Sequence, residues 1–171
     1  MLSKLILRRL DAEELALGAS LDYVRYIVRS SRSAFFKFAL FMPLAKYRRK
    51  LPAAPYHVAR IVATRDEDCG TCVQIEVNLA RQDGVSAETL RAVLADSPEQ
   101  LTTELAEVYH FARAVVAASG DEEELRPRIR ARYGDEGLVE LALGIAAARM
   151  FPITKRALGY ATSCALVEIQ V

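Results

Sequence analysis

The chain has 171 residues, of which 52% are hydrophobic and 26% charged, and its formal net charge is +1. This length fits one domain with a complete core, and the near-neutral charge argues against a nucleic-acid partner. Three cysteines cannot all pair within one chain, and the start, MLSKLILRRL, lacks the apolar region and cleavage site of a signal peptide. We therefore expect a cytoplasmic protein in a reducing compartment.

Helical periodicity runs through almost the whole chain, and no segment alternates as a strand does. Asp11 is placed to cap a first helix that ends near Ser30. A second helix is expected over residues 33–49, bent or ended near Pro43. The stretch LPAAP at 51–55 is a clear break before the next helix.

The stretch SAFFKFALFMPLAKYRRK, residues 33–50, is the most apolar part of the first third. Its apolar run is too short to span a bilayer and is interrupted by Lys37 and Pro43. We expect a buried helix with a basic C-terminal end, which suits the helix dipole. A subunit contact is the second interpretation, and an interfacial membrane helix is a third.

The short helix YHVARIVAT leads into the acidic turn RDED. Asp68 is placed to cap a helix that begins at Cys69 and stops at Gly84. Pro152 should kink or split the last helix. Capping residues mark the starts of the other helices: Ser86, Ser97, Asp121 and Asp135.

About eight helices with short connections predict an all-α fold of one compact domain. Residues 1–50 are expected to form N-terminal helices that pack on or extend a helical core, and residues 51–171 to form that core. Cys164, in the Ala-rich C-terminal region, is interpreted as a small core residue.

Residues 65–76 read RDEDCGTCVQIE and contain two cysteines three positions apart. Positions three apart on a helix share a face, with Cβ atoms about 5–6 Å apart, near the range that a disulfide tolerates. Cys69 is expected in the first turn, where unpaired N–H groups favour a thiolate. Cys69 and Cys72 therefore predict a reversible redox pair.

Other uses of the two thiols are weaker. A thioredoxin site needs a strand before the motif, and none is predicted. Zinc requires two more ligands, for which Cys164 and His57 are the only candidates, and neither comes as a pair. Two inert core thiols fit poorly with the charged residues around them. We expect no metal and no cofactor beyond the redox-active pair Cys69–Cys72.

A helical domain with C-x-x-C at a helix start resembles the AhpD-like alkylhydroperoxidase branch of the carboxymuconolactone decarboxylase family. The resemblance covers residues 50–118 best, including CGTCVQIEVNLARQDGVS and the later helix LAEVYHFARAVVA. In the family pattern a Glu lies twelve positions before the first cysteine and a His four after the second. Here those positions hold His57 and Glu76, the same two residue types exchanged.

The resemblance implies that His57 and Glu76 form an acid–imidazole pair that moves protons to and from the thiols. Glu76 lies four positions after Cys72 and shares its helix face. A buried carboxylate needs a partner, and His57 is the expected one. Tyr109 and His110, on the later helix, are interpreted as packing or surface residues.

The resemblance implies a peroxiredoxin-type alkylhydroperoxidase, or more generally a thiol-disulfide oxidoreductase. Cys72 is then the nucleophile that becomes a sulfenic acid, and Cys69 condenses with it. The position at the helix start would instead make Cys69 the nucleophile. The implied partners are a small hydroperoxide, a dithiol reductant protein or lipoyl-type carrier, and further copies of the chain in a dimer, trimer or hexamer.

Two other functions stay open. A decarboxylase like the founding family member does not depend on a cysteine pair, so the dithiol argues against it. A helical redox sensor or assembly module would use the disulfide to alter an interface. No membrane span is predicted.

Overall fold

The structure, a computed structural model, describes residues 2–161. In that range all regular structure is helical, which confirms the predicted all-α fold of about eight helices. One of the helices, α4, is a single turn, and a 3₁₀ turn, Pro98–Gln100, lies between α7 and α8. The α-helices are α1 (Leu2–Leu17), α2 (Asp22–Ser30), α3 (Arg32–Ala39), α4 (Met42–Ala45), α5 (Ala53–Arg65), α6 (Gly70–Gln82), α7 (Ala87–Leu94), α8 (Thr103–Ala117) and α9 (Glu122–Ala157).

The predicted single helix from Asp11 to about Ser30 is wrong, because the chain forms α1 and α2 there. Gly18 has φ +65°, a left-handed conformation that ends α1 and that glycine adopts without strain. The carboxylate of Glu14 then accepts hydrogen bonds from the amide of Leu21 and the guanidinium of Arg25. These bonds fix the corner between the two helices.

The apolar stretch 33–50 is less buried than expected. It forms α3 and α4 instead of one helix, and α3 has no buried residue. Leu40 is 71% exposed and Phe36 47% exposed. Ring contacts of Phe38 and Phe41 with Phe151 attach this region to α9, with centroid distances of 6.0 and 6.1 Å. The prediction of a buried helix is therefore wrong for the isolated chain.

The core is built around α5, which packs against α6, α8 and α9. Every residue from 55 to 64 is buried, because a helix that is surrounded on all sides by other helices needs side chains that can be buried all round. Three of these buried side chains, those of His57, Arg60 and Thr64, are polar and must find partners inside the molecule.

Helix α9 is broken at Gly134, whose φ of +71° and ψ of 179° are not helical. The predicted start of a new helix at Asp135 agrees with this break. Pro152 does not split the helix, since the only non-helical backbone inside α9 is at Gly134. The alternative, a kink at Pro152, stays a prediction.

Among the residues described, α9 alone is long and apolar enough to cross a membrane, and 44% of its most apolar stretch is buried. Core helices of soluble proteins pass the same test, so this observation is weak, and the absence of a membrane span stays a prediction.

The predicted helix cap at Ser86 is confirmed, and the predicted cap at Ser97 is wrong. Ser86 caps α7 by accepting a hydrogen bond from the amide of Thr89. Ser97 precedes only the 3₁₀ turn and makes no capping bond. The following helix, α8, is instead capped by Thr102, which accepts from the amide of Leu105.

Glu140 fixes the segment that leads into α5. It is 2% exposed, and its carboxylate accepts hydrogen bonds of 2.9–3.1 Å from the amides of residues 49–51. Burial by itself raises the pKa of Glu140, but the three amides outweigh it and hold this pKa below its ordinary value. The ionised carboxylate thus takes the place of the backbone partners that this loop lacks.

We expect Glu140→Gln to lower the free energy of unfolding at pH 7 by about 1.5–3 kcal/mol, the range for hydrogen bonds to a charged group. Since the folded-state pKa of Glu140 is lowered, its contribution is complete above the unfolded pKa and is lost as the pH falls through the folded pKa. Urea unfolding at pH 7 and at lower pH measures this. The gap to the wild type should narrow below about pH 4.

Glu136→Gln is the matched control, because that side chain is 74% exposed on the same helix. An equal loss of stability in the two variants would contradict the anchoring role of Glu140.

Candidate functional site

The two cysteines lie where the α5–α6 hairpin turns. Asp68 has φ +47°, and Cys69 is the N-cap of α6, which begins at Gly70. The prediction that Asp68 caps a helix beginning at Cys69 is therefore wrong by one position. The thiol side chain of Cys69 makes no capping hydrogen bond.

Cys69 and Cys72 are joined in a disulfide, with their Cα atoms 5.3 Å apart. The carbonyl of Cys69 accepts hydrogen bonds from the amides of Cys72 and Val73 at 2.9 and 3.0 Å, so the first turn of α6 is complete around the crosslink. The entropy that a crosslink removes from the unfolded chain grows with the loop it closes. With a sequence separation of 3, this disulfide contributes little as a structural brace.

Both cysteines are buried in the single chain, Cys69 with 1% and Cys72 with 7% of its surface exposed. A reagent must therefore reach the pair through a local opening or as a small molecule. Burial also keeps bulk water away from the thiols, which makes nearby charged groups more influential.

Glu67, two residues before Cys69, fixes the turn against α9. It is 5% exposed and accepts hydrogen bonds from Arg149 Nε at 2.7 Å and Arg156 Nη1 at 3.0 Å. The acidic run RDED predicts a turn but not a buried carboxylate within it. The two arginines lie 82 and 89 positions away, so no local pattern could identify them.

Glu76 is buried as expected, but its partner is Arg60 and not His57. Arg60 donates two parallel hydrogen bonds to the carboxylate, from Nε at 2.8 Å and from Nη2 at 2.6 Å. Both side chains are at most 6% exposed. The expected direct pairing of His57 with Glu76 is therefore wrong, because a guanidinium matches both oxygens of a carboxylate at once.

Arg60 also reaches the end of α4. Its Nη1 donates to the carbonyl of Ala45 at 2.8 Å, and the hydroxyl of Tyr56 donates to the same carbonyl at 3.0 Å. Burial disfavours the Arg60 cation, but Glu76 outweighs this and raises the pKa of Arg60 above its ordinary value. Arg60 is therefore charged, and its hydrogen bonds join α4, α5 and α6.

His57 pairs with Asp83, the C-cap residue of α6. His57 Nε2 and Asp83 Oδ2 are 3.0 Å apart, and Arg48 donates to the same oxygen at 2.8 Å. Burial, the largest influence, lowers the pKa of His57. His57 is 4% exposed, whereas the side chain of Asp83 is 39% exposed, so this pair connects the interior to the surface.

The structure thus places the four predicted site residues on one hairpin. Cys69 and Cys72 are joined to each other as predicted, whereas Glu76 and His57 have other partners, Arg60 and Asp83. Arg60 and Asp83 were missed from the sequence. Arg60 follows His57 by one helical turn in a helix with no polar face, which is the one local signal for it. Asp83 directly precedes Gly84 at the helix end, and no local pattern distinguishes it from an ordinary C-terminal residue.

The other residues considered have simpler surroundings. Tyr109 is buried and donates a hydrogen bond to Asp96, and His110 is exposed. Residues 2–161 contain no group of three or more His, Cys, Asp and Glu side chains able to hold a metal ion. Cys164 lies outside the described residues.

No family model, curated protein or solved structure matches the chain. The resemblance to AhpD-like enzymes stays a prediction that depends on the C-x-x-C motif and on the positions of His57 and Glu76.

We expect Arg60→Met to lower the free energy of unfolding by about 3–5 kcal/mol, because it leaves the Glu76 carboxylate buried without a cation. The double variant Arg60→Met with Glu76→Leu should recover most of that loss, since apolar side chains can replace a buried pair. Chemical denaturation of the two single variants, the double variant and the wild type completes the cycle. Additive losses would show that the two side chains do not interact.

Proposed function

We propose that this chain is a thiol-disulfide oxidoreductase of the AhpD type, which reduces hydroperoxides with Cys69 and Cys72. The observation that carries the proposal is the disulfide at the N-terminus of α6, which closes within a single helical turn and adds little stability. A crosslink of little structural value, beside buried ionised groups, is better suited to a redox cycle than to bracing a fold.

In the proposed cycle, the Cys72 thiol loses its proton to the Glu76–His57 groups. The thiolate attacks the distal oxygen of ROOH, the O–O bond breaks, and the alkoxide takes the proton of Cys69 to leave as ROH. The Cys69 thiolate then attacks the sulfenic sulfur and expels hydroxide, which takes the stored proton to give water. An external dithiol reduces the disulfide and is itself oxidised to a disulfide.

Arg60 has a clear place in this scheme. Glu76 lies one helical turn after Cys72, and an uncompensated carboxylate there would oppose a thiolate. The bidentate bond from Arg60 offsets that negative charge. The helix N-terminus adds a favourable field at the cysteine pair. Together these supports favour Cys72 as a nucleophile despite the exchanged positions of the acid and the imidazole.

One equivalent of a small hydroperoxide added to the fully reduced protein should remove the thiols of Cys69 and Cys72. The intact mass should fall by two hydrogens, because only a disulfide forms. The measurement uses a Cys164→Ser background, so that the third thiol does not contribute. Free thiols are counted by alkylation and mass spectrometry over time.

The variants Cys72→Ser and Cys69→Ser separate the two roles. Cys72→Ser should abolish trapping of a sulfenic acid by a dimedone-type reagent, whereas Cys69→Ser should let that adduct accumulate. The reverse result would make Cys69 the nucleophile, and thiols that persist beside unconsumed peroxide would refute the peroxidase function. A single oxidation without turnover in excess dithiol would instead support a redox sensor.

The partners follow from the same proposal: a small hydroperoxide, a dithiol protein or lipoyl-type carrier, and further copies of the chain. Exposed apolar residues follow one another closely in sequence in and beside α3 and α4. They support self-association, because scattered apolar residues are ordinary but a group of them is typical of a contact. We call this group the α3–α4 surface; its residues are Phe36, Leu40, Met42, Leu44 and Tyr47. A cytoplasmic location of the protein is part of the same proposal.

We expect Leu40→Glu to reduce the oligomeric state, because a charge at the most exposed residue of the α3–α4 surface opposes its burial. Light scattering coupled to size exclusion, at micromolar concentration, gives the mass. Leu15→Glu on α1 is the matched control, since Leu15 is 88% exposed and lies outside this surface. A monomeric wild type would count against self-association.

A further inference from the structure

His57 is held from one side only. Its Nε2 lies 3.0 Å from Oδ2 of Asp83, which Arg48 also contacts. The hydrogen bond from His57, foremost, and that from Arg48 lower the pKa of Asp83 against the opposing effect of burial. Asp83 is therefore ionised at neutral pH, and an ionised carboxylate can only accept hydrogen bonds.

The ionised carboxylate of Asp83 determines which nitrogen of the His57 imidazole carries the proton. Since Asp83 carries no proton, Nε2 of His57 is the donor. Burial lowers the pKa of His57, so the ring is neutral at pH 7 and bears that single N–H. Nδ1 then holds a bare lone pair. It is buried, and no group of residues 2–161 donates a hydrogen bond to it.

A buried acceptor without a donor is unfavourable, and native structures rarely contain one without a reason. Nδ1 of His57 is the one such side-chain atom in the described part of the chain. The charged groups that act on the ring are Asp83 and Glu76 from α6 and Arg60 from its own helix. Glu76 is therefore close enough to act on the ring, and it follows Cys72 by one helical turn.

We propose that Asp83 is a positioning residue for the dithiol reaction: it holds His57 in the tautomer whose bare Nδ1 receives the proton released by the cysteine pair. This inference depends on the proposed function. The electron pair of the S–H bond stays on sulfur as the thiolate. The proton moves by way of the Glu76 carboxylate to Nδ1, and the resulting imidazolium is stabilised by Asp83. Hydroxide released when the disulfide forms takes the proton back.

The first test observes the tautomer directly by ¹⁵N NMR of the full chain labelled at histidine. Two histidines are present, and His110→Gln identifies the signals of His57. The wild type should show a protonated Nε2 and a bare Nδ1. In Asp83→Asn the side-chain amide can donate to Nε2, so the proton should move to Nδ1. Arg48→Gln removes the other partner of Asp83, together with the bond from Arg48 to the carbonyl of Leu51, and should leave the tautomer unchanged.

The second test measures the rate at which the reduced dithiol is oxidised, as a function of pH. Two oxidants are used separately, a small hydroperoxide and an aromatic disulfide, both of which consume the dithiol and form the Cys69–Cys72 disulfide. Asp83→Asn should slow the reaction at pH 7 by about tenfold or more, as expected for a misplaced general base. Arg48→Gln should change it by less than about twofold, as expected for a partly exposed ion pair.

The pH profile separates positioning from a structural role. Loss of the Asp83 hydrogen bond lowers the pKa of His57 further, so the rise of the rate with pH should move to lower pH in Asp83→Asn. Asp83→Glu retains a carboxylate and should restore both the tautomer and the profile, which also covers failure of Asp83→Asn to fold.

An unchanged tautomer, rate and pH profile in folded Asp83→Asn would overturn the positioning role. The two proposals fail differently. If the wild-type dithiol does not react with hydroperoxide, the peroxidase function fails. The positioning role still stands in that case, provided that Asp83→Asn changes both the tautomer and the rate of reaction with the aromatic disulfide.

Discussion

The buried ion pair of Arg60 and Glu76 is the interaction on which the site depends. Two charges removed from water must compensate each other, and the bidentate geometry at 2.6 and 2.8 Å does so. The pair fixes the rotation of α5 against α6, and the bond from Arg60 to the carbonyl of Ala45 adds the end of α4. Movement of either helix would leave a charge unpaired, so the cysteine-bearing hairpin has one strongly favoured arrangement.

Two further buried carboxylates repeat this principle at other points around α5. Glu67 joins the turn before the cysteines to the arginines of α9, and Glu140 of α9 holds the amides of the segment before α5. Each acid connects segments far apart in the chain. A core of mostly small aliphatic side chains defines helix positions loosely, whereas directional hydrogen bonds to carboxylates define them closely.

This arrangement also shapes the chemistry available to the dithiol. The cysteines lie at one end of α6 and the partly exposed Asp83 lies at the other, with Glu76 in between. His57 is paired with Asp83, and Arg60 donates two hydrogen bonds to Glu76. Acidic, basic and thiol groups therefore follow one helix from the interior to the surface. Such an order suits the transfer of protons to and from a buried redox pair.

The sequence by itself determined the helical class, the position of the break before Asp135, the cap at Ser86 and the cysteine pair at the start of a helix. These features depend on neighbours within a few positions, and over such short distances periodicity and capping residues predict the structure. Only the tertiary structure decided the partners of the buried charges, because Arg60 and Glu76 are 16 positions apart and His57 and Asp83 are 26 apart. The positions of His57 and Glu76 in the sequence suggested that these two residues pair. The packing of α5 on α6 instead places the guanidinium of Arg60 against the carboxylate of Glu76.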